Sequence, residues 1–359
     1  MKTICNGLKV IELSNVLAGP SVGMFFAELG AEVIKIENKT TGGDLTRKWK
    51  TPFEDPDSGQ SAYYTAVNWG KTVRMVDLTL LSEREEIYEL IRDADIVISN
   101  FRAGEDKRLG MNYESLRKVN PKIILGSISA YGMNDVRPGF DLVLQAETGF
   151  MSMNGTPESG PLKMPVALID ILAAHQLKEG ILLALIRRMQ TGEGMQVDVS
   201  LYEAALASLA NQASNYLVSG FVPGLSGSLH PNIAPYGEII ITKDHKKIAL
   251  AIGTDKQFAG LCRVFDLPAL ADDPRFKTNS NRIANRTMLQ DLLQKSCSEI
   301  DSIVFLKKTS SEGVPVGLIS NLQEVFSNPK ALPMILEENT KEGNIRCVST
   351  IAFKGLPEF

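Results

Sequence analysis

The sequence predicts an α/β protein whose large domain is built on a doubly wound, Rossmann-like parallel sheet. Three observations support this class: short runs rich in valine and isoleucine recur along the first 135 residues, helical segments separate these runs, and the runs are mostly apolar. Apolar strands that alternate with helices are typical of βαβ units and of a parallel sheet covered on both faces. A smaller α+β domain is expected to follow.

Five strands and three helices are expected in this first region. The strands are expected at 8–14, 31–37, 71–78, 94–100 and 122–129, and the helices at 22–30, 82–93 and 113–120. The segment LAGPS, between the first strand and the first helix, is expected to form a turn.

A long apolar segment, LIDILAAHQLKEGILLALIRRMQ at 168–190, predicts a helix that is apolar on nearly every face. Such a helix is normally buried, here between the sheet and a partner subunit. The segment TGEG at 191–194 ends this helix, and a further strand is expected at 195–201.

The domain boundaries follow from changes in composition. The large domain is expected to begin at residue 1 and to span 1–218, and a linker rich in Gly, Pro and Ser covers 219–235. The small α+β domain is expected at 236–325. Residues 326–359 are expected to return to the large domain as a short segment.

Composition and charge exclude several classes of protein. The chain has 359 residues, of which 44% are hydrophobic and 22% are charged, and its formal net charge is −4. This is the composition of a folded protein, and its acidic balance predicts no nucleic-acid partner. No apolar run reaches the roughly 18–20 residues that span a membrane, and the opening segment lacks the features of a signal peptide.

Cysteine and histidine usage also limits the possible sites. The four cysteines lie far apart without a CxxC pair, and the chain has only three histidines. This pattern is typical of reduced thiols in a cytoplasmic protein and supports neither a disulfide framework nor a metal site. We therefore expect a two-domain cytoplasmic enzyme or binding protein without a metal ion.

The carboxyl ends of the predicted strands are the first place to look for a site, because open parallel sheets bind ligands there. The first strand continues into AGPSVG, where a dinucleotide-binding fold has GxGxxG, so a nicotinamide cofactor is disfavoured. The fourth strand ends in Asn100, Phe101 and Arg102, and Arg108 follows. An aromatic ring beside amide and guanidinium groups suits a nucleotide, although a polar loop with a packed phenylalanine is the commoner explanation.

Asp170 is the acidic residue of greatest interest, because it lies at the beginning of the long apolar helix. Aspartate at a helix start usually caps the helix by accepting its free N–H groups. Alternatively, the helix N-terminus keeps the carboxylate ionised, so that it is available as a nucleophile. Position alone does not decide between the two roles.

Taken together, an ordered series of segments resembles the family III CoA-transferases. The series begins with GLKVIELSNVLAGPSVGMFFAELGAEVIKIE and GGDLTR, and continues through NWGKTVRMVDL and NFRAGEDKRLGMNYESLRKVNPKIILGSISAYG. It resumes at RPGFDLVLQAETGFMSMNG, at the segment around Asp170 and at HPNIAPYG. These segments cover about two-thirds of the chain in the order and spacing of the family.

The resemblance implies an acyl-CoA:carboxylate CoA-transferase that forms an interlocked homodimer. Its partners would be an acyl-CoA and a small carboxylic acid, with no cofactor beyond coenzyme A. The family's nucleophilic aspartate falls on Asp170. The CoA-contacting positions of the family fall on Leu17, Ala18, Asn68, Lys71, Asn100, Phe101, Arg102, Arg108 and Arg137, and a glycine of its substrate loop falls on Gly253.

The implied mechanism makes Asp170 the nucleophile that attacks the thioester carbonyl. An unperturbed aspartate has a pKa of about 3.9, so we expect it to be ionised at pH 7 and limited by low nucleophilicity. Backbone N–H groups near Ala18 and in the loop containing Gly253 are candidate donors to the developing oxyanion.

Two alternatives to a transferase remain. Acyl-CoA racemases of the same family use a histidine just before an aspartate, in a GHD-like segment that corresponds here to Gly139, Phe140 and Asp141. Phenylalanine cannot exchange a proton, so two-base racemisation lacks one base and a transferase is preferred. A non-catalytic CoA-binding homologue is disfavoured because Asp170 is retained.

Overall fold

The computed structural model describes residues 4–340 and 343–355. The chain divides into two compact units, of which one comprises Met1–Met151, Lys163–Phe221 and Pro329–Phe359, and the other Ser152–Leu162 and Val222–Asn328. The domain boundaries expected from composition stay predictions, since compactness alone does not define a folding domain.

The helices and strands are numbered in chain order. Up to residue 219 they are β1 (Lys9–Leu13), α1 (Ala18–Glu28), β2 (Glu32–Asn38), α2 (Ala62–Thr65), β3 (Thr72–Val76), α3 (Leu81–Arg92), β4 (Ile96–Ser99), α4 (Glu105–Leu109), α5 (Tyr113–Val119), β5 (Ile124–Ser129), α6 (Asp141–Glu147), α7 (Phe150–Met153), β6 (Gly155–Thr156), β7 (Gly160–Pro161), α8 (Leu168–Thr191), β8 (Met195–Ser200), α9 (Leu201–Ala207) and α10 (Ala210–Ser219). The later elements are β9 (Tyr236–Ile241), β10 (Lys247–Ala251), α11 (Asp255–Val264), α12 (Asn279–Ala284), α13 (Arg286–Cys297), α14 (Ser302–Ser311), β11 (Val316–Leu318), α15 (Leu322–Phe326), β12 (Ile335–Thr340) and β13 (Gly343–Val348). Short 3-10 helices cover Leu45–Lys48, Pro268–Ala271 and Leu332–Met334.

A six-stranded parallel sheet forms the centre of the first unit, which confirms the predicted Rossmann-like fold. Its strand order is β3-β2-β1-β4-β5-β8. Alternate residues of β1 are buried on opposite faces: Val10 packs in a cluster with Phe26 of α1, and Ile11 in a cluster with Ile91 of α3. The order reverses between β1 and β4, which is where sheets of this type bind ligands.

Helix α1 begins at Ala18, earlier than the sequence predicted. The segment expected to be a turn is the first turn of the helix, and the N–H of Ser21 donates to the carbonyl of Leu17 at 2.8 Å. Pro20 is compatible with this position, because N–H groups of a first turn have no partner within the helix. The helix therefore begins close to the end of β1.

Within the single chain, helix α8 is buried on one face. Ile169, Leu177 and Ile181 are fully buried, whereas Leu183 is 67% exposed and Met189 is 86% exposed. The buried face packs on α1 and on β5. None of the described helices is both long enough and apolar enough to cross a membrane.

The second unit contains an antiparallel sheet of order β11-β10-β9, in agreement with the predicted α+β class. Phe258, Phe276 and Phe305 are fully buried in its core. The hairpin of β12 and β13 belongs to the first unit. The segment after this hairpin is bound there by Glu28, whose carboxylate accepts the N–H of Thr350 at 2.8 Å.

Candidate active site

A cavity of about 650 Å³ lies in the first unit, at the carboxyl ends of β1 and β4. Its position is the one expected for a ligand in a sheet whose strand order reverses between these strands. Eight of the residues predicted from the sequence line this cavity. They are Leu17, Ala18, Asn100, Phe101, Arg102, Arg108, Arg137 and Asp170.

Asp170 lies in the first turn of α8 and is 8% exposed. No group in the described part of the chain donates a hydrogen bond to its carboxylate. Burial, and secondarily the negative charge of Asp141, raise the pKa of Asp170 to about 7. The expectation of an unperturbed, fully ionised aspartate is therefore wrong, because desolvation outweighs the favourable field of the helix N-terminus.

The capping role considered for Asp170 belongs to Asp141. Its Oδ1 accepts the N–H of Ile169 at 2.7 Å and lies 3.4 Å from the nitrogen of Asp170. The buried side chain of Gln145 fixes Asp141, since its Nε2 donates to Asp141 Oδ2 at 2.6 Å while its Oε1 accepts the N–H of Met164 at 2.8 Å. Asp170 is thereby free of the helix cap and faces the cavity that it lines.

Three arginine side chains line the cavity. Arg102 is exposed, and its guanidinium makes neither an ion pair nor a hydrogen bond with any group in residues 4–340 and 343–355. Arg108 lies 3.3 Å from Glu105. Arg137 is 2.8 Å from Asp135, and its guanidinium lies 3.9 Å from the ring centroid of Tyr131. Guanidinium groups bind phosphate in a bidentate manner, so this wall suits a phosphorylated ligand.

Asn100 connects the ends of two neighbouring strands. Its Oδ1 accepts the N–H of Asn15 at 3.0 Å, and its Nδ2 donates to the carbonyl of Asn15 at 2.8 Å. The side-chain amide of Asn100 therefore holds the segment that follows β1. Phe101 is half-buried at the same edge of the sheet and lines the cavity.

Asn68 and Lys71 do not line the cavity. The Lys71 ammonium is buried and lies 2.7 Å from Glu12, 2.8 Å from the carbonyl of Pro20 and 3.0 Å from Asn68 Oδ1. Asn68 Nδ2 donates to the carbonyl of Tyr64 at 2.8 Å. Burial lowers the pKa of Lys71 to about 7. The structure thus places the ammonium of Lys71 against Glu12 and the first turn of α1, and not among the cavity residues where the predicted CoA contact would put it.

Gly253 lies in the second unit, between β10 and α11. Its N–H donates to Gln257 Oε1 at 2.9 Å, and Gln257 also completes the capping box of α11 with Thr254. The predicted role of Gly253 in a substrate loop stays a prediction.

Two acids near the site have contacts that the sequence did not predict. Asp141 was considered only as a neighbour of Phe140, although its position at the start of α6 carries the cap of α8. Asp44, within the segment GGDLTR, is 1% exposed and binds the backbone of Val16. No local sequence pattern indicates the contact of Asp44 with Val16. Burial of an acid within a loop would suggest such a contact, but burial cannot be read from one sequence.

The described residues contain no group of three His, Cys, Asp or Glu side chains that could hold a metal ion.

The sequence model of CoA-transferase family III matches residues 5–356. The chain belongs to CoA-transferase family III. It is therefore a CoA-transferase, as the resemblance of its segments predicted, and its substrates include a CoA thioester.

Curated relatives and solved structures agree with this family. The chain is 39% identical to a succinate–glutarate CoA-transferase of Agrobacterium fabrum, covering 90% of this chain and 82% of the relative. It is 35% identical to an acetyl-CoA:oxalate CoA-transferase of Acetobacter aceti, covering 90% and 83%. A CAIB/BAIF family protein from Brucella suis superposes with a TM-score of 0.84 at 37% identity, covering 98% of this chain and 93% of that one.

Proposed function

We propose that this family III enzyme moves CoA from an acyl-CoA to a small carboxylic acid through covalent intermediates on Asp170. The observation that carries the proposal is the carboxylate of Asp170, which is buried, accepts no hydrogen bond within the described chain, and lines the same cavity as three arginines. The arginines suit the phosphates of CoA. The carboxylate suits attack on the thioester.

The reaction begins when the deprotonated carboxylate of Asp170 attacks the thioester carbonyl of the donor. The C–S bond breaks, the CoA thiolate leaves, and a mixed anhydride of Asp170 and the donor acid remains. The thiolate then attacks the aspartyl carbonyl of this anhydride, which releases the donor acid and leaves an aspartyl-CoA thioester. Each step exchanges one activated acyl group for another, so the balance needs no oxidant and no ATP.

The acceptor acid completes the cycle by the reverse steps. Its carboxylate attacks the aspartyl-CoA thioester, which expels the thiolate and forms a second mixed anhydride on Asp170. The thiolate attacks the acceptor carbonyl of this anhydride, giving the new acyl-CoA and the free carboxylate of Asp170. The oxyanion donors in this proposal are the backbone N–H groups of Leu17 and Ala18, which line the cavity, and one donor of this kind typically contributes about 10²–10³ in rate.

The acceptor we propose is a small dicarboxylic acid, with succinyl-CoA as donor. Relatives that match most of this chain are named for succinate and glutarate, for oxalate and for mesaconate. All four acids carry a second carboxylate, and the cavity offers arginine side chains. The homodimer and the cytoplasmic location stay predictions from the sequence.

The test combines trapping and exchange. The enzyme is incubated with succinyl-CoA, quenched with hydroxylamine and digested, and the modified peptide is found by mass spectrometry. We expect a hydroxamate only at Asp170, transfer of CoA to glutarate by the wild type, and neither in Asp170→Ala. Transfer that survives in Asp170→Ala would refute the mechanism, and deuterium entering the α-carbon of a branched acyl-CoA without CoA exchange would identify a racemase.

A further inference from the structure

Val16, in the turn between β1 and α1, has a strained backbone. Its φ is 73°, in the left-handed region that a β-branched residue strongly disfavours. Three other non-glycine residues of the described chain have positive φ, but none of them is β-branched and none lines the cavity. Strain of this kind persists only where surrounding contacts enforce it, and it is often stored at functional sites.

Asp44 is the side chain that contacts the backbone N–H of this strained residue. Its two carboxylate oxygens lie 3.4 Å and 3.2 Å from the backbone nitrogen of Val16. Lys35 fixes the carboxylate in turn, since its buried ammonium is 3.1 Å from Asp44 Oδ2 and also donates to Glu12 at 2.9 Å and to the carbonyl of Ser14 at 2.7 Å. A buried ion pair thus holds the turn at Val16, in addition to the contacts of Asn100 with Asn15.

Two free donors follow the strained residue. In the described structure, the backbone N–H groups of Leu17 and Ala18 donate to no acceptor of the chain, and both residues line the cavity that contains Asp170. Successive N–H groups after a left-handed residue form a concave donor site for an anionic oxygen. With φ in the common negative range at Val16, the peptide planes would rotate and these donors would lose their shared direction.

We propose that Asp44 is a positioning residue for CoA transfer. By binding the N–H of Val16, it holds the turn in the conformation that directs the N–H groups of Leu17 and Ala18 at the oxyanion formed from the thioester carbonyl. The proposal rests on the proposed function, because it assigns a role in the same reaction. Asp44 itself is buried and does not line the cavity.

The first test is Asp44→Asn, which keeps the shape of the side chain and removes its charge. Oxyanion contacts form in the transition state, so kcat should fall about 10- to 100-fold while KM for succinyl-CoA changes less than about threefold. Thr46→Val is the matched control, because it removes another hydrogen bond of Asp44, at 2.8 Å, without affecting Val16. A rise in KM with unchanged kcat would overturn the proposal.

A second variant separates positioning from general damage. Glycine adopts positive φ without strain, so Val16→Gly added to Asp44→Asn should recover about tenfold of the lost kcat. If Asp44 only caps the 3-10 helix Leu45–Lys48, replacing Val16 will recover nothing and the proposal fails. Trapping at Asp170 is measured in parallel. If the wild type forms no hydroxamate at Asp170, the proposed function fails; if the hydroxamate forms but the kcat values do not follow this pattern, only the role of Asp44 fails.

Hydrogen–deuterium exchange of the wild type gives a test that does not depend on a folded variant. The N–H of Val16 should be protected in the free enzyme, while those of Leu17 and Ala18 should exchange rapidly and become protected when succinyl-CoA is added. Unchanged exchange at Leu17 and Ala18, in enzyme that is trapped at Asp170, would overturn the proposal.

Discussion

The carboxylate of Asp141 lies at the beginning of α8, with its Oδ1 only 3.4 Å from the backbone nitrogen of Asp170. Two acidic side chains thus lie at one helix terminus, and their contacts differ. Asp141 accepts the N–H of Ile169 and is fixed by Gln145, whereas Asp170 is buried beside that negative charge. The negative charge of Asp141 is one cause of the raised pKa of Asp170. A change at Asp141 should therefore alter the activity that depends on Asp170.

Asp141→Asn should shift the pH dependence of transfer. The variant keeps an oxygen that can accept the N–H of Ile169 but removes the charge that helps to raise the pKa of Asp170. Since the nucleophile must be deprotonated, activity of the wild type should fall as pH decreases through about 7. In the variant this fall should occur at lower pH.

The measurement is kcat/KM against pH, from pH 5 to pH 9. Asp93→Asn is the control, because Asp93 is exposed at the end of α3 and does not line the cavity. An acidic limb that is identical in wild type and Asp141→Asn would show that the charge of Asp141 does not reach Asp170.

Asp170→Asn should abolish transfer and yet stabilise the folded protein at alkaline pH. The pKa of Asp170 is about 7 in the folded state against an ordinary 3.8, so the folded state keeps a proton that the unfolded state releases between these values. The contribution of this group to stability therefore decreases as pH rises through that window. A neutral asparagine avoids the loss.

At pH 8 the free energy of unfolding of Asp170→Asn should exceed that of the wild type by about 2–4 kcal/mol. The difference should disappear toward pH 4. Urea denaturation at both pH values measures it, with Asp93→Asn as the exposed control. Equal stability of wild type and Asp170→Asn at pH 8 would contradict a raised pKa at Asp170.

The sequence predicted the sheet well because its signal is local. The alternation of apolar strands and helices follows from residues such as Val10 and Ile11, which pack on opposite faces of β1. The proposed role of Asp170 came from the resemblance to the family, because its position alone suited a helix cap equally well. The cap by Asp141 depends on a contact across 28 residues, and no local pattern reveals such a pairing.

Arg102 should contribute more to acyl-CoA binding than Arg137. The guanidinium of Arg137 is already 2.8 Å from Asp135, whereas that of Arg102 makes no hydrogen bond or ion pair with the described residues. Arg102→Gln should raise KM for succinyl-CoA about tenfold, and Arg137→Gln about threefold, since a charged hydrogen bond at an exposed site is partly screened.

Both KM values are measured at low and at high salt. The effect of Arg102→Gln should shrink at high salt, because screening already weakens its contact with a phosphate. Arg92→Gln, on the exposed end of α3, should leave KM unchanged. A larger effect at Arg137 than at Arg102 would reverse the assignment of the two side chains.

Lys71→Met should destabilise the protein rather than weaken CoA binding. The ammonium of Lys71 is buried against Glu12 and the carbonyl of Pro20, and the residue does not line the cavity. Methionine fills a similar volume without a charge, and Glu12 keeps its contact with Lys35 at 2.9 Å. The free energy of unfolding should therefore fall by roughly 2–4 kcal/mol, while KM for succinyl-CoA changes less than about threefold.

The competing role for Lys71 is a direct contact with a phosphate of CoA, as the resemblance to the family implies. Succinyl-dephospho-CoA, which lacks the 3′-phosphate, distinguishes the two roles when measured beside Arg102→Gln as a cavity-lining control. A buried structural Lys71 gives the same small change in KM with either thioester. A large rise in KM that disappears with the dephospho substrate, in a protein of unchanged stability, would instead place the Lys71 ammonium at the phosphate.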